Sequence, residues 1–139
     1  VAWTWIDAYY RDAFTAGTPA VGIPAGKRLP GVASSSLFAE LIWRHAASGF
    51  HAGVEARRVG RVAVDDRNSE YADSYAVASL RLGWQQRGRN WRLNEFVRVD
   101  NVTGRRYAGS VIVADGNRRF YEPAPGRNYL LGLEASVAF

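Results

Sequence analysis

The sequence of 139 residues contains no cysteine and no methionine, and Lys27 is its only lysine. Without cysteine the chain can form neither a disulfide framework nor a thiolate metal site. Its two histidines, His45 and His51, lie in unrelated contexts, so we predict no metal site and no cofactor. The chain begins with Val1 and shows no charged and then apolar leader, from which we expect a fragment or a processed product.

Long apolar runs are also missing. No stretch approaches the roughly 18 consecutive apolar residues that a membrane-spanning helix needs. A membrane strand, in contrast, spans with roughly 9 to 11 residues, of which only every second one is apolar. A slightly hydrophilic average is therefore compatible with a membrane barrel. The net charge of +5 comes from scattered arginines, which argues against a nucleic-acid partner, because nucleic acid needs a clustered basic face.

What the sequence does contain is a β-strand pattern. No helical spacing of apolar residues is sustained, whereas apolar and polar residues alternate in several segments, most clearly from Tyr129 to Phe139. Such alternation is typical of antiparallel strands with one apolar face, soluble or not. We predict an all-β fold in one domain, 1–139, with strands near 1–14, 36–45, 50–64, 75–86, 91–114 and 128–139.

The predicted connections alternate between short turns, 47–49 and 87–90, and long polar loops, 15–35, 65–74 and 115–127. Short turns at one rim and long loops at the other are typical of outer-membrane barrels. Aromatic side chains then collect at the short-turn rim, as in a girdle at a membrane interface, although strand ends in many sheets carry aromatics for packing or by chance. These residues are Trp43, Phe50, Trp84, Trp91 and Phe139, with Trp3 and Trp5 near the same level.

Six strands are too few to enclose a polar lumen, since small closed barrels have about eight and a solvated interior needs more. We therefore expect one arc of a larger antiparallel up-and-down transmembrane β-barrel. Glu95 breaks the pattern, because its parity places it on the apolar face with Trp91 and Val97. We expect a bulge or a nearby arginine at Glu95, and a register break near Arg57 and Arg58.

Four ordered segments resemble the C-terminal region of TonB-dependent outer-membrane receptors, over essentially the whole chain. Segment 26–32, GKRLPGV, is similar to that family's G-x-R-L-P-x-V, and DDRN at 65–68 followed by YAV at 75–77 is similar to its D-x-x-N and Y-T-V. Segment 97–107, VRVDNVTGRRY, resembles the signature N-L-F-D-x-x-Y, with Asn101 and Tyr107 in place. Val102, Thr103 and Gly104 depart from that signature. Segment 120–128 and Phe139 resemble the last extracellular loop and the closing strand.

The resemblance implies the last six strands of a roughly 22-stranded barrel in the bacterial outer membrane, with short turns in the periplasm. It implies an active transporter of a scarce solute, above all a ferric siderophore, energised by TonB through a plug domain that this chain lacks. Phe139 resembles the signal that the barrel-assembly machinery recognises, and a lipid-facing strand end is its simpler reading. The implied surroundings are outer-membrane lipid and lipopolysaccharide.

One external loop resembles a site for an anionic iron chelate, because it combines cations with aromatic rings. The alternatives are a solvated loop, or arginines that face lipopolysaccharide phosphates. On the lumen side we expect ion networks rather than a substrate site. The loop residues are Arg118, Arg119, Phe120 and Tyr121, and the lumen residues are Arg81, Arg92, Arg98, Asp100 and Glu134.

Three other functions compete with transport. An outer-membrane hydrolase lacks support, because no G-x-S-x-G elbow surrounds a serine and His45 lies at the short-turn end of a strand, so we predict no enzyme. A soluble lipocalin-like barrel that binds a small apolar ligand remains open, and it requires an inward apolar face. A plain outer-membrane barrel without a plug also remains open.

Overall fold

The computed structural model describes residues 1–138, which contain twelve strands and no helix. No helix in this part of the chain could cross a membrane. Every strand pairing is antiparallel, so the predicted all-β antiparallel fold is confirmed. The strands are β1 (Ala2–Trp5), β2 (Phe14–Ala16), β3 (Val21–Ile23), β4 (Ser35–His45), β5 (Phe50–Val59), β6 (Val62–Ala63), β7 (Tyr71–Ala72), β8 (Tyr75–Arg87), β9 (Trp91–Asp100), β10 (Ala108–Val111), β11 (Tyr121–Pro123) and β12 (Asn128–Val137).

Six of these strands form one sheet in the order β1-β4-β5-β8-β9-β12. They correspond to the six predicted strands, and they run up and down in chain order. Three predicted boundaries are wrong, because the first strand ends at Trp5, the third at Val59 and the fifth at Asp100. The fifth ends there because Asn101 turns the chain with a φ of 48°. The sheet is open within residues 1–138, with β1 and β12 at its edges.

The remaining six strands form three two-stranded ladders inside the long connections: β2–β3, β6–β7 and β10–β11. These segments were predicted as loops or as extensions of the main strands. Each pairing spans only a few residues. Strands this short carry too little alternation to be separated from loop in a sequence.

The connections of the main sheet alternate as predicted. Short turns at 46–49 and 88–90 join β4 to β5 and β8 to β9, while the long connections 6–34, 60–74 and 101–127 all leave from the opposite end. This alternation follows from the antiparallel order, in which successive connections fall at opposite ends of the strands. We refer to these ends as the short-turn rim and the long-loop rim.

The two faces of the main sheet differ sharply in polarity. One face, here called the apolar face, carries exposed side chains such as Leu41, Leu131 and Leu133, which are 73%, 80% and 71% exposed. The opposite, polar face carries side chains such as Glu55, Arg81 and Arg98, which the pairing register places together. Strict alternation through regular ladders produces this division, since neighbouring residues point to opposite sides.

The expected irregularities in these ladders are absent, which corrects two predictions. Glu95 pairs with Trp84 and with Leu133 in unbroken register, and none of the ion pairs within residues 1–138 includes it. Arg57 and Arg58 likewise continue β5 without a bulge. The two charged residues of the apolar face lie at different heights. Arg58 pairs with Leu37 near the start of β4, at the long-loop rim, whereas Glu95 is the fifth of the ten residues of β9 and so lies at mid-strand.

Aromatic side chains lie at both rims of the apolar face. At the short-turn rim the predicted set is in place, because Phe50 pairs with Trp84, Trp43 pairs with Ala52 beside the turn, and Trp91 begins β9. Trp3 and Trp5 were placed at that rim wrongly. They pair with Leu37 and Ser35 at the start of β4, and so lie at the long-loop rim. The error arose because the first strand is far shorter than predicted.

The buried hydrophobic residues lie in the long connections rather than on the sheet. Val64, Ala63 and Ile23 are 0%, 2% and 3% exposed, and Phe120 and Ala72 join them at 4% and 6%. The sheet therefore presents its apolar face uncovered, and the loops have a small core of their own.

Candidate functional site

The long connections 6–34, 60–74 and 101–127 pack into one body, which we call the loop layer. Its segments are joined by backbone hydrogen bonds, from Gly31 N to Ala63 O at 3.0 Å and from Ala114 N to Val64 O at 2.9 Å. Val113 packs so closely that a Cβ at Gly31 would lie 3.0 Å from its side chain. The layer is therefore an ordered structure that can present side chains in fixed positions.

Asn68 joins the first two long connections. It adopts a φ of 53°, a conformation that asparagine tolerates better than most residues. Its Nδ2 donates to Arg28 O at 2.8 Å, and its Oδ1 accepts from Arg28 N at 2.7 Å. The side-chain amide thus pairs with both backbone groups of Arg28, as the backbone of a neighbouring strand would. Asp65 supports the turn by accepting hydrogen bonds from the backbone N–H and the hydroxyl of Ser69. Burial alone raises the pKa of Asp65, but these hydrogen bonds, together with the charge and backbone N–H of Arg67, more than offset that effect and leave the pKa below its ordinary value.

Asn101 organises the third long connection. It is 5% exposed, and it is the buried polar residue of the described chain. Its Oδ1 accepts from Arg105 N at 2.9 Å, while its Nδ2 donates to Arg105 O at 2.8 Å and lies 3.5 Å from Pro125 O. A buried amide must find such partners, because an unsatisfied polar group is costly inside a protein.

The four segments that carry the family resemblance therefore meet in the loop layer. Asn68 of the second segment binds Arg28 of the first, and Asn101 of the third reaches Pro125 of the fourth. These two asparagines hold the loops together.

The structure buries one of the four loop residues predicted to bind a ligand and exposes the other three. Phe120 is buried at 4% exposure, so its predicted role in stacking on a ligand is wrong, and it belongs to the core of the loop layer. Arg118 is a surface residue whose Nη2 lies 2.8 Å from Glu70 Oε1. Arg119 is exposed, and its backbone N–H donates to Asp115 Oδ2 at 2.7 Å. Alternation along the chain places Phe120 inward and its neighbours outward.

Tyr121 is the predicted residue that lines a groove. Its hydroxyl donates to Glu70 Oε2 at 3.1 Å, and burial followed by this acidic partner raises the pKa of Tyr121. The groove has a volume of about 500 Å³ and opens beside β8 and β11. The groove residues that carry its chemistry are Tyr71, Tyr75, Tyr107, Tyr121, Arg105 and Arg106.

The groove combines aromatic rings with guanidinium groups. The rings of Tyr75 and Tyr107 stack with centroids 4.0 Å apart, and Arg105 and Arg106 are both exposed at its border. This is the chemistry that favours an anionic ligand with flat or aromatic parts. The sequence reading missed this groove, although Tyr107, Arg105 and Arg106 were all within the segment compared with the family signature. Their convergence with Tyr71 and Tyr121 depends on how the loops fold, which spacing does not reveal.

The polar face contains the predicted ion network in part. Arg98 binds Glu55 through both terminal nitrogens, at 2.7 and 2.8 Å, and its Nε lies 2.8 Å from Asp100 Oδ1. Arg81 instead lies 4.8 Å from the centre of the Phe96 ring. The ion pairs within residues 1–138 include neither Arg92 nor Glu134. Glu55, which holds the network together, was not among the predicted residues.

The short-turn rim carries the predicted aromatic set. The Trp84 indole nitrogen donates to Ser48 O at 2.6 Å, which fixes the ring against the turn. The Trp43 and Phe50 rings have centroids 5.8 Å apart, and Trp91 is 45% exposed. Phe139, the predicted assembly signal, lies outside the described residues.

A comparison with known protein families finds none whose sequence profile matches this chain. The function is therefore argued from the two faces of the sheet, its two rims and the loop layer.

Proposed function

We propose that this chain forms part of the wall of an outer-membrane β-barrel, in an active transporter that takes up a ferric siderophore. The observation that carries the proposal is the uncovered apolar face, bordered by aromatic rings at both rims. Trp3, Trp5 and Tyr129 mark the long-loop rim, where they are 74%, 68% and 68% exposed. Rings at two levels with aliphatic side chains between them match the paired girdles of a lipid-facing barrel surface.

The solvent-exposed area of the chain is larger than a soluble monomer of this size has, which supports an apolar face that lipid covers in the intact protein. The described chain exposes 10027 Å², about 2,800 Å² more than the ~7,200 Å² expected for a folded soluble monomer of 15.4 kDa. Monomeric soluble proteins rarely expose an apolar patch beyond roughly 300–600 Å². Lipid, together with neighbouring strands of the same barrel at β1 and β12, accounts for such an excess.

The strand lengths also fit a membrane. β5, β9 and β12 each contain 10 residues. At ~3.4 Å per residue and a tilt of ~45°, such a strand rises about 24 Å, close to the apolar band of about 25 Å in outer-membrane barrels. The polar face, with the Arg98 ion network, then lines the lumen, and the loop layer lies outside the cell.

The loop layer supplies the link to solute uptake. Its tyrosine and arginine groove suits an anionic iron chelate, and three of the segments that resemble TonB-dependent receptors, 75–77, 97–107 and 120–128, contribute residues to its lining. In this proposal the plug domain that receives energy from TonB, and the rest of the barrel, belong to other parts of the protein. Leu37 pairs with Trp3 on one side and with Arg58 on the other, so Arg58 lies at the long-loop rim. In this orientation Arg58 faces the outer leaflet, where lipopolysaccharide phosphates complement its charge.

Site-directed labelling tests the orientation of the sheet. In detergent or bilayers, Leu131→Cys, Leu133→Cys and Val137→Cys should resist a water-soluble maleimide by at least about tenfold relative to Glu134→Cys and Ser136→Cys. The five positions lie on one strand, so differences in folding between variants are small. A soluble lipocalin-like barrel predicts the reverse order, and that result would reject the membrane reading.

Uptake of a ferric chelate tests the transport function in cells that express the whole protein. Arg105→Ala combined with Arg106→Ala should lower uptake at limiting chelate, because both cations border the groove. Arg89→Ala, in the opposite short turn, is the matched control and should leave uptake unchanged. Equal uptake in all variants would contradict a role for this groove.

A further inference from the structure

The tyrosine and arginine groove of the loop layer is rich in aromatic rings. Four of its lining residues are tyrosines: Tyr71, Tyr75, Tyr107 and Tyr121. The hydroxyl of Tyr121 is held by Glu70 Oε2 at 3.1 Å, and the rings of Tyr75 and Tyr107 stack on each other with centroids 4.0 Å apart. These contacts fix three of the rings before a ligand arrives, which lowers the cost of ordering side chains around it.

Guanidinium groups give the groove a positive charge. Arg105 and Arg106 are both lining residues, and the four ion pairs within residues 1–138 include neither of them. Asp73 is the carboxylate of the lining, so two cations face one anion. Arg61 adds a third guanidinium, 4.9 Å from the centre of the Tyr71 ring. A negatively charged ligand is therefore favoured, and rings and guanidinium groups already stack at this wall.

Ferric chelates differ in the two properties that this groove distinguishes, which are charge and aromaticity. A trihydroxamate forms an uncharged ferric complex without aromatic rings. A hydroxycarboxylate such as citrate forms anionic complexes, again without rings. A catecholate holds iron through phenolate oxygens, so that its ferric complex is anionic and presents flat rings. The catecholate complex is thus the one of the three that can use both the arginines and the tyrosines.

We infer that the groove selects a ferric complex of catecholate type, whose rings stack among the tyrosines while its phenolate oxygens accept hydrogen bonds from Arg105 and Arg106. The inference rests on the proposed uptake of a ferric chelate, and it names the chemical class of that chelate. The volume of the groove, about 500 Å³, is within the roughly 300–1,000 Å³ of small-molecule sites.

Equilibrium dialysis of radiolabelled ferric complexes against the whole purified protein in detergent tests the inference. The probes are the complexes of a tripodal catecholate, of citrate and of an uncharged trihydroxamate. We expect the catecholate complex to bind about tenfold more tightly than the citrate complex, because ring stacking adds to the attraction of charge. The trihydroxamate complex should bind most weakly, since it offers neither charge nor rings.

Variants separate the contribution of rings from that of charge. Tyr121 is 43% exposed, so its ring can be removed with little effect on packing. Tyr121→Leu should weaken catecholate binding by about three- to tenfold and leave citrate binding unchanged, which also shows that the variant is folded. Tyr121→Phe keeps the ring and should keep the preference, as should Tyr9→Leu at an exposed tyrosine outside the groove lining. Arg105→Ala combined with Arg106→Ala should weaken both anionic complexes by about tenfold or more.

The outcomes distinguish this inference from the proposed function. Citrate binding as tight as catecholate binding, or a catecholate preference that Tyr121→Leu leaves intact, overturns the catecholate class while uptake of an anionic chelate stands. Preference for the trihydroxamate overturns the class and the role given to the two arginines. Binding of none of the three complexes contradicts the proposed function itself.

Discussion

Replacing Asn101 by alanine removes the amide that organises the third long connection. The substitution deletes an acceptor for Arg105 N at 2.9 Å and a donor to Arg105 O at 2.8 Å, in a residue that is 5% exposed. It also leaves alanine at a φ of 48°, where a Cβ is strained. The change therefore acts on hydrogen bonding and on backbone conformation together.

The expected magnitude follows from these two effects. Two lost hydrogen bonds cost about 1 kcal/mol each, and the left-handed backbone adds about 1–2 kcal/mol for alanine. A local cost of about 3–4 kcal/mol should speed amide hydrogen exchange in residues 101–107 by about 140-fold to about 700-fold, if the loop opens locally. Exchange measured by mass spectrometry on the whole chain resolves this segment from the sheet.

Two variants separate the contributions at this position. Asn101→Gly loses the hydrogen bonds but tolerates the positive φ, so its exchange should be slower than that of Asn101→Ala by about 5- to 30-fold. Asn117→Ala, at an exposed loop position, is the control and should leave exchange in residues 101–107 unchanged. Wild-type protection in Asn101→Ala would refute the role assigned to this amide.

Three further predictions concern the polar face and the loop core. Glu55→Gln should lower the free energy of unfolding by about 1–3 kcal/mol, because Arg98 loses its bidentate carboxylate partner. A denaturant titration with an unchanged midpoint would contradict this. The pKa of Asp65 is lowered in the fold, so its stabilising contribution is present above its ordinary value of 3.8 and is lost as pH falls below that value. Protection factors of residues 65–69, which remove the intrinsic pH dependence of amide exchange, should therefore fall below pH 3.8, and Asp65→Asn should remove that dependence. Phe120→Ala should destabilise the loop core by about 3 kcal/mol, seen as faster exchange at Ala72 and Val64, whereas a mere ligand-stacking residue would leave exchange unchanged.

The main sheet could be predicted from the sequence because its strands are long and regular. From Leu131 to Val137 the alternation runs without a break, and the ladder with β9 has no shift in register. Strands of about ten residues repeat the two-residue period often enough to distinguish it from a helix or a loop. Antiparallel pairing then places successive connections at opposite rims, and the strand bounds give their lengths.

The loop layer could not be predicted in the same way. Its ladders of two to four residues are stabilised by contacts between distant segments, such as Asn68 with Arg28, and by one small core. Phe120 was predicted to bind a ligand because Arg119 and Tyr121 are its neighbours in the sequence. Whether its ring points inward depends on how the loop segments pack against one another, which the sequence does not reveal. The Tyr107 and Tyr121 groove is missed for the same physical reason.

Alternation predicted the face of Glu95 correctly, and the added expectation of a bulge was wrong. A bulge was expected because the middle of a membrane does not tolerate an unpaired charge. The structure keeps the register, so Glu95 stays on the apolar face at the middle of β9, between Trp84 and Leu133. Arg58 likewise continues β5 without a bulge.

The two parts of the chain depend on different surroundings for their stability. The loop layer has its own buried residues, Ile23, Val64 and Phe120 among them, and its own segments shield them from solvent. The sheet has ladders of hydrogen bonds but an uncovered apolar face, so hydrophobic burial stabilises it only when lipid or another surface covers that face. If the membrane surroundings proposed above are replaced by water, the sheet should therefore unfold or aggregate first, while the Asn68 and Asn101 contacts keep the loops together.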